Sequence, residues 1–174
     1  AFESHVENAI GGFSGDLIIG NADLNRLDGG GGNDTLVAAG SGDILDGGVG
    51  DDTFRINAGD GLLNTTHIAD ASGADVVEIT AIGADPLKTK FSAVGSELVI
   101  EVRSDSNQVL STVRIQNDGN LATVETLKLY YQGLFSQTYQ LQQQLDSAKA
   151  GVTLGIPSDP AVPDYADNIT TSGR

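Results

Sequence analysis

The chain has 174 residues with 24 acidic and 9 basic side chains, a formal net charge of −15 and no cysteine. So acidic a balance argues against nucleic acid and anionic membranes as partners, because both require clustered Lys and Arg. No apolar run approaches the roughly 18 residues of a membrane span, so no transmembrane segment is predicted. Because the chain starts at Ala1 and contains no methionine, we expect a processed product or a piece of a longer protein.

A nine-residue repeat runs without insertion or deletion from Gly11 to Arg55. Its units read GGFSGDLII, GNADLNRLD, GGGGNDTLV, AAGSGDILD and GGVGDDTFR. The sixth positions hold Asp16, Asn25, Asp34, Asp43 and Asp52, and the eighth positions hold Ile18, Leu27, Leu36, Leu45 and Phe54. Chance would produce this pattern about once in 10⁵ sequences, which argues against a flexible glycine-rich linker.

The period of nine predicts a glycine-rich turn followed by a short strand with one inward apolar side chain. Two units then form one coil of a flattened solenoid, in which turns stack every second unit. Asp16, Asp34 and Asp52 are therefore expected along one edge, and Asn25 and Asp43 along the other. Few apolar side chains are available to hold such coils together, so hydrophobic burial alone is not expected to fold the segment.

The charge of the repeat indicates a bound cation. Residues 11–55 contain eight Asp and two Arg, which gives 2 − 8 = −6, and stacking the turns brings these like charges together. A dication between stacked turns would reverse the repulsion and couple folding to metal binding. Carboxylate and carbonyl oxygens without His or Cys favour a hard cation, and irregular geometry favours calcium over magnesium.

GGGGNDTLV and GGVGDDTFR match the pattern GGxGxDxUx, in which U is a large apolar residue. The chain therefore resembles the RTX (repeats-in-toxin, haemolysin-type) calcium-binding family, and VENAIGG at Val6–Gly12 is similar to the segment that leads into such repeats in serralysin-type secreted proteases. The resemblance implies an all-β fold with a right-handed parallel β-roll. It also implies ions held by carbonyls of positions 2 and 4 and the sixth-position carboxylate of one turn, together with carbonyls of positions 1 and 3 and the carboxylate of the turn 18 residues later.

Carried onto this sequence, the resemblance implies two to four calcium ions. The first set is Gly12, Ser14, Asp16, Gly29, Gly31 and Asp34, and the second is Gly30, Gly32, Asp34, Gly47, Val49 and Asp52. The set on the opposite edge is Asn21, Asp23, Asn25, Ala38, Gly40 and Asp43. We expect this third site to be weaker or partly filled, because Asn25 is neutral and Ala38-Ala39 replaces the glycine pair.

A fourth calcium site depends on Asp70. The nine-residue phase continued past the repeat returns Asp70 to the sixth position, where it would close a site with Gly48, Gly50 and Asp52. The alternative for Asp70 is a solvated aspartate in a turn.

After the repeat the pattern changes to alternating strands separated by turn signals. Strands are predicted at residues 75–80, 88–94, 97–103, 109–116 and 124–130, and a helix at 136–149 with Leu141, Leu145 and Ala148 on one face. The expected division is a calcium-binding roll over residues 1–64, an antiparallel β-rich cap over 65–135, a small helix over 136–150 and a flexible tail over 151–174. The segment after the last repeat also resembles the caps of RTX adhesins and adenylate cyclase toxins.

The resemblance implies a non-catalytic calcium-binding module of a Gram-negative bacterial protein, exported by a type I secretion system and found outside the cell or on its surface. External calcium would fold it and so support secretion and stability of the parent protein. The alternative is a calcium-dependent module that binds an extracellular polysaccharide or a neighbouring domain, as similar modules do beside alginate epimerases. Tyr130 and Tyr131 are the candidate sugar-stacking residues in that reading, whereas packing within the cap is the simpler role for both.

Overall fold

A computed structural model describes residues 7–58, 64–82, 88–119, 121–131 and 134–151. These residues are mostly β-strand, with one short helix near the C-terminal end. The strands of the first part are β1 (Asn8–Ile10), β2 (Leu17–Ile19), β3 (Arg26–Asp28), β4 (Thr35–Ala38), β5 (Ile44–Asp46), β6 (Thr53–Ala58), β7 (Asn64–Ala69) and β8 (Val76–Ala81). They are followed by β9 (Lys90–Val94), β10 (Glu97–Arg103), β11 (Val109–Asp118), β12 (Leu121–Ala122), β13 (Thr126–Tyr131), β14 (Leu134–Gln140) and α1 (Leu141–Lys149).

Successive strands of the repeat alternate between two sheets. One sheet has the order β1-β3-β5-β7-β11-β10-β9, with β12 paired to β11, and the other has the order β14-β13-β8-β6-β4-β2. Neighbouring repeat strands within each sheet are parallel, and Leu17 pairs with Thr35, which pairs with Thr53, at a spacing of 18 residues. The predicted spacing of two units between stacked strands is therefore confirmed.

The eighth-position side chains form the core between the sheets. Leu36, Leu45 and Phe54 are fully buried, and Leu27 is nearly so, whereas Ile18 at the N-terminal end is only partly buried. Alternation along each strand turns the seventh and ninth positions outward, which is why one inward apolar residue per unit suffices for a short strand. The core continues past the repeat through Val77, Ile79 and the inner residues of the later strands.

Parallel pairing continues beyond residue 64, where the roll was expected to end. β7 pairs in parallel with β5, and β8 pairs in parallel with β6, with Thr53 opposite Val76. The spacing in this last step is 23 residues rather than 18. The five additional residues fall between Thr53 and His67, and the parallel stacking continues after them although the sequence phase is broken.

The antiparallel pairing expected after residue 65 is present but incomplete. β10 pairs antiparallel with β9 and β11, and β13 pairs antiparallel with β14. However, β11 joins β7 and β13 joins β8 in parallel, so the C-terminal strands extend both sheets of the repeat. The strand predictions from residue 75 to 131 agree with the observed bounds to within two residues.

The helix is shorter than predicted. It begins at Leu141, because residues 134–140 pair with β13 as strand β14 instead of starting the helix at Ser136. Its predicted apolar face is confirmed: Leu141 and Leu145 are fully buried and Ala148 packs against the core. Gln144 is also buried, so the glutamine face is not wholly exposed. The tail expected over 151–174 lies outside the described residues except for Gly151.

The N-terminal end of the two sheets carries exposed apolar side chains. β1 and β2 are the outermost strands, and Ile10, Leu17 and Ile19 on them are at least 64% exposed, while Phe13 in the intervening turn is 99% exposed. The other end differs, since β9 and α1 pack there on one another. Within the part of the chain that is described, no helix is long and apolar enough to cross a membrane.

Replacing two leucines tests which face of the repeat forms the core. Leu36→Ala should lower the free energy of unfolding by about 2 to 5 kcal/mol, because Leu36 is fully buried between the sheets. Leu17→Ala makes the same chemical change at a side chain that is 64% exposed and should change it by less than about 0.5 kcal/mol. Urea denaturation at saturating metal measures both. Equal losses in the two variants would contradict this core assignment.

Candidate metal centre

A column of carboxylates follows one edge of the stacked turns. Asp16 donates its backbone N–H to Oδ1 of Asp34 at 2.7 Å, and Asp34 donates its own to Oδ1 of Asp52 at 2.7 Å. Asp52 repeats the contact with Oδ1 of Asp75, again at 2.7 Å. Each carboxylate thus binds the backbone of the preceding turn through one oxygen, which leaves its second oxygen to be accounted for.

The fourth member of this column is Asp75. The prediction that Asp70 holds the sixth position of the last turn is therefore wrong, because Asp75 holds it. The N–H of Val76 donates to the carbonyl of Asp52 at 2.9 Å, as the N–H of Thr53 does to that of Asp34. Asp70 instead follows β7 directly and corresponds to Gly47, the first position of the preceding turn. The five-residue insertion before β7 caused the error. The segment SGADVV at 72–77 carries the missed signal, since it has the Gly, Asp and apolar spacing of the repeat.

Asp52, Asp70 and Asp75 form a cluster that could hold a metal ion. One carboxylate oxygen from each lies within 4.8 Å of the others. Asp52 and Asp75 are 1% and 0% exposed, and Asp70 is half-buried. Oδ2 of Asp52, Oδ2 of Asp75 and both oxygens of Asp70 are buried, with no hydrogen-bond partner among the described residues. Four buried acceptor oxygens without a donor are costly unless a cation satisfies them.

The pKa values of the cluster also reflect the cost of burying several carboxylates together. Burial, followed by the nearby Asp75, Asp52 and Asp46 carboxylates, raises the pKa of Asp70 well above its usual value. Burial is also the main reason that the pKa of Asp52 rises to about 6, although the N–H of Asp34 opposes this rise. Desolvation and like charge both disfavour the ionised forms. A bound cation would reverse both effects.

Gly29 and Gly47, which hold the first position of two turns on this edge, make room for these oxygens. A Cβ on Gly47 would lie only 2.5 Å from Oδ1 of Asp70 and closer still to Oδ2 of Asp52. A Cβ on Gly29 would clash in the same way with Oδ2 of Asp34 and would lie 2.6 Å from the carbonyl oxygen of Gly47. The position is therefore kept free of side chain beside the inward carboxylate oxygen.

The first and second predicted sets are brought together by stacked turns. The N–H of Gly31 donates to the carbonyl of Gly12 at 2.9 Å, and the N–H of Val49 donates to the carbonyl of Gly30 at 3.0 Å. The N–H of Gly32 donates to the carbonyl of Val49 at 2.8 Å. Oδ2 of Asp34 is buried without a hydrogen-bond partner, as in the cluster above. The backbones of Ser14, Gly32, Gly48 and Gly50 also lie in this stack, where an added Cβ on Gly32, Gly48 or Gly50 would meet the neighbouring turn.

The opposite edge has a different hydrogen-bond pattern. Asp43 accepts the N–H of Asn25 through Oδ1 at 2.9 Å, and it accepts the N–H groups of Ala39 and Gly40 through Oδ2 at 3.2 and 3.1 Å. Oδ1 of Asn25 accepts the N–H of Asn21 at 2.6 Å. Backbone donors therefore satisfy both carboxylate oxygens of Asp43. In Asp34 and Asp52, by contrast, Oδ2 has no hydrogen-bond partner among the described residues.

The remaining residues of the third set lie on the same edge. The carbonyls of Asn21 and Asp23 surround the place where Gly40 would carry a Cβ, and the Asn21 oxygen would be 2.9 Å from it. The side chain of Ala38 is buried at the end of β4. The expected ligand carbonyls of Asn21 and Asp23 are thus brought next to Gly40, although no described residue of this edge has an unsatisfied buried carboxylate oxygen like that of Asp34.

Glu125 extends the carboxylate column into the C-terminal strands. Its Oε2 accepts the N–H of Asp75 at 2.7 Å, and the N–H of Thr126 donates to the carbonyl of Asp75 at 3.1 Å. These two contacts repeat those between Asp75 and Asp52. Sequence reasoning missed Glu125, because nothing in the glycine pattern marks it and only the parallel pairing of β13 with β8 places it there.

The two tyrosines considered for sugar binding have different surroundings. Tyr131 is 8% exposed and belongs to the core, which agrees with the simpler packing role. Tyr130 faces outward from β13, where its hydroxyl lies 3.4 Å from Glu78. It lines a shallow cavity of about 390 Å³ together with Arg55, Asn57 and Glu78.

Comparison with protein-family models, with curated proteins and with solved structures found no match for this chain.

The raised pKa values of Asp52 and Asp70 predict that the stability of the metal-free protein falls as the pH rises. A group whose pKa is raised by folding adds stability below its ordinary pKa, and that stability is lost as pH rises through the raised value. For Asp52 the loss falls between about pH 4 and 6 and amounts to about 1 to 3 kcal/mol, and Asp70 continues the trend at higher pH. Far-UV circular dichroism of the folded fraction in metal-stripped buffers across pH 4 to 7, with urea denaturation at each pH where the chain is folded, measures this. Asp70→Asn should flatten the dependence, and a stability that rises steadily with pH would contradict it.

Replacing Glu125 tests whether the column ends in the C-terminal strands. Glu125→Gln keeps an acceptor for the Asp75 N–H and should cost less than about 1 kcal/mol of unfolding free energy. Glu125→Ala leaves the N–H of Asp75 without this acceptor and should cost about 1 to 3 kcal/mol. Thermal unfolding of both variants measures the difference. Equal effects of the two substitutions would show that the hydrogen bond does not contribute.

Proposed function

We propose that this chain is a non-catalytic calcium-binding RTX module, built as a right-handed parallel β-roll, that folds when it meets extracellular calcium. The observation that carries the proposal is the column in which Oδ2 of Asp34, Asp52 and Asp75 is buried without a hydrogen-bond donor among the described residues. Three successive turns have this arrangement, so the buried oxygen recurs with the stacking of the turns. A site that recurs with the repeat is expected to bind the same ligand in each turn.

The donor set favours calcium. All candidate ligands are carboxylate or backbone carbonyl oxygens, and Gly30, Gly32, Gly48, Gly50 and Gly73 have positive φ angles that let the stacked turns approach closely. Hard oxygen donors in an irregular backbone cage suit calcium better than magnesium, which demands near-octahedral geometry. The carboxylates Asp16, Asp34, Asp52, Asp70 and Asp75 support up to three ions along this edge, within the expected total of two to four.

The coupling of binding to folding supports a role in export. Without a cation the buried carboxylates repel one another, so the unfolded chain is favoured where calcium is scarce. Millimolar calcium outside the cell would shift the equilibrium towards the folded state, since modules of this kind bind with dissociation constants of about 10⁻⁴ to 10⁻³ M. We propose that the module thereby supports type I secretion and the folding of a larger protein of a Gram-negative bacterium, at the cell surface or beyond it.

A second candidate function is binding of an extracellular polysaccharide or partner domain. The observation that favours it is the shallow cavity beside Tyr130, which combines an aromatic ring with the polar groups of Arg55, Asn57 and Glu78. Tyr131 is not part of this surface because it is buried. Retention on immobilised polysaccharide that is lost in Tyr130→Ala but kept in Asp118→Asn would favour this function.

A calcium titration tests the first function. Far-UV circular dichroism should show a cooperative gain of β structure with calcium, and Asp75→Asn should raise the midpoint at least about tenfold, because it removes a buried ligand charge. Asp118→Asn is the matched control, since it removes the same charge from an exposed residue and should leave the midpoint unchanged. A chain equally folded in chelator and in calcium would exclude the proposal.

A further inference from the structure

The cluster of Asp52, Asp70 and Asp75 carries more charge than the other pairs of turns on its edge. The first position of the earlier turns is Gly11, Gly29 or Gly47, whereas Asp70 occupies it in the last turn. Each earlier pair of turns therefore offers two sixth-position carboxylates, and only the last pair offers a third. Fully ionised, the cluster has a formal charge of −3.

The oxygens of the cluster are arranged to receive a cation. Oδ1 of Asp52 and Oδ1 of Asp75 are held in place by the N–H groups of Asp34 and Asp52. The second oxygens of Asp52 and Asp75 are buried without a donor among the described residues, on side chains that are 1% and 0% exposed. Both oxygens of Asp70 are in the same state. These four acceptors converge from three elements, namely the turns before β6 and β8 and the end of β7.

The charge of the ion decides how completely this cluster is neutralised. Against the carboxylates of this cluster, a dication leaves part of the negative charge uncompensated, whereas a trication neutralises it. Uncompensated charge is expensive in a buried site, and the attraction between ion and ligands grows with the product of their charges. Asp34 and Asp52 each lie between two neighbouring sites. If the charge of each shared carboxylate is divided between its two sites, the earlier sites carry less than two negative charges each, whereas the last site carries more than two.

We propose that the Asp52–Asp70–Asp75 cluster binds trivalent hard cations, such as lanthanide ions, in preference to calcium, and that Asp70 sets this preference. The inference rests on the proposed function, because it assigns a class of cation to one of the sites described there. It differs from that function in that it concerns selectivity between ions, whichever ion folds the chain in its natural setting.

Terbium luminescence under direct excitation provides the test. The full chain is titrated with Tb³⁺, and bound Tb³⁺ is then displaced with Ca²⁺. In the unchanged protein, one Tb³⁺ site should resist displacement by calcium at least about tenfold better than the others. Asp70→Asn should lower the terbium-to-calcium affinity ratio of that site about tenfold or more, and Asp70→Glu, which keeps the charge, should largely retain it. Asp118→Asn removes the same charge from an exposed residue outside the carboxylate column and should leave the affinity ratio of the resistant site unchanged.

Two results would overturn the proposal. One is displacement of Tb³⁺ from every site of the unchanged protein at the same calcium concentration, which needs no variant to fold. The other is an Asp70→Asn variant whose resistant site keeps its affinity ratio. Failure of the proposed function looks different: circular dichroism would then be insensitive to calcium, while the terbium-to-calcium ratio could still be measured.

Discussion

The repulsion between buried carboxylates is the constraint on which the rest of this structure depends. Stacking the turns places Asp34, Asp52 and Asp75 next to one another with one oxygen of each turned away from water and from any described donor. The glycines beside them remove the side chains that would fill the same space. Hydrophobic contacts between the sheets favour stacking, whereas the like charges on this edge oppose it.

The two edges of the repeat respond differently to this constraint. On the edge with Asn25 and Asp43, backbone N–H groups of the same turn and its neighbour satisfy the side-chain oxygens. On the other edge only one oxygen of each buried carboxylate is satisfied. The same nine-residue pattern thus yields one edge whose Asp43 carboxylate is satisfied by backbone N–H groups and one whose buried carboxylates each keep an oxygen without a donor among the described residues.

Much of the architecture could be predicted from periodicity. The spacing of Leu27, Leu36, Leu45 and Phe54 gave the inward positions and the 18-residue register, since a strand exposes alternate residues to alternate faces. The phase was lost at the five-residue insertion before β7, so Asp70 was placed in the role of Asp75. Glu125 and the parallel attachment of β11 and β13 depend on contacts between distant segments, which local patterns do not encode.

Alternation of strands between two sheets also determines how such a chain can change length. Removing or adding nine residues would move every following turn to the opposite edge, so the carboxylates of one edge would change places with the side chains of the other. Removing or adding eighteen residues keeps every following turn on its edge. It also preserves which side chains point into the core and the hydrogen-bond register of the following strands. The five additional residues between Thr53 and His67 are tolerated because the parallel register of both sheets resumes after them. Duplication in pairs of units therefore lengthens both sheets and leaves the carboxylate column intact.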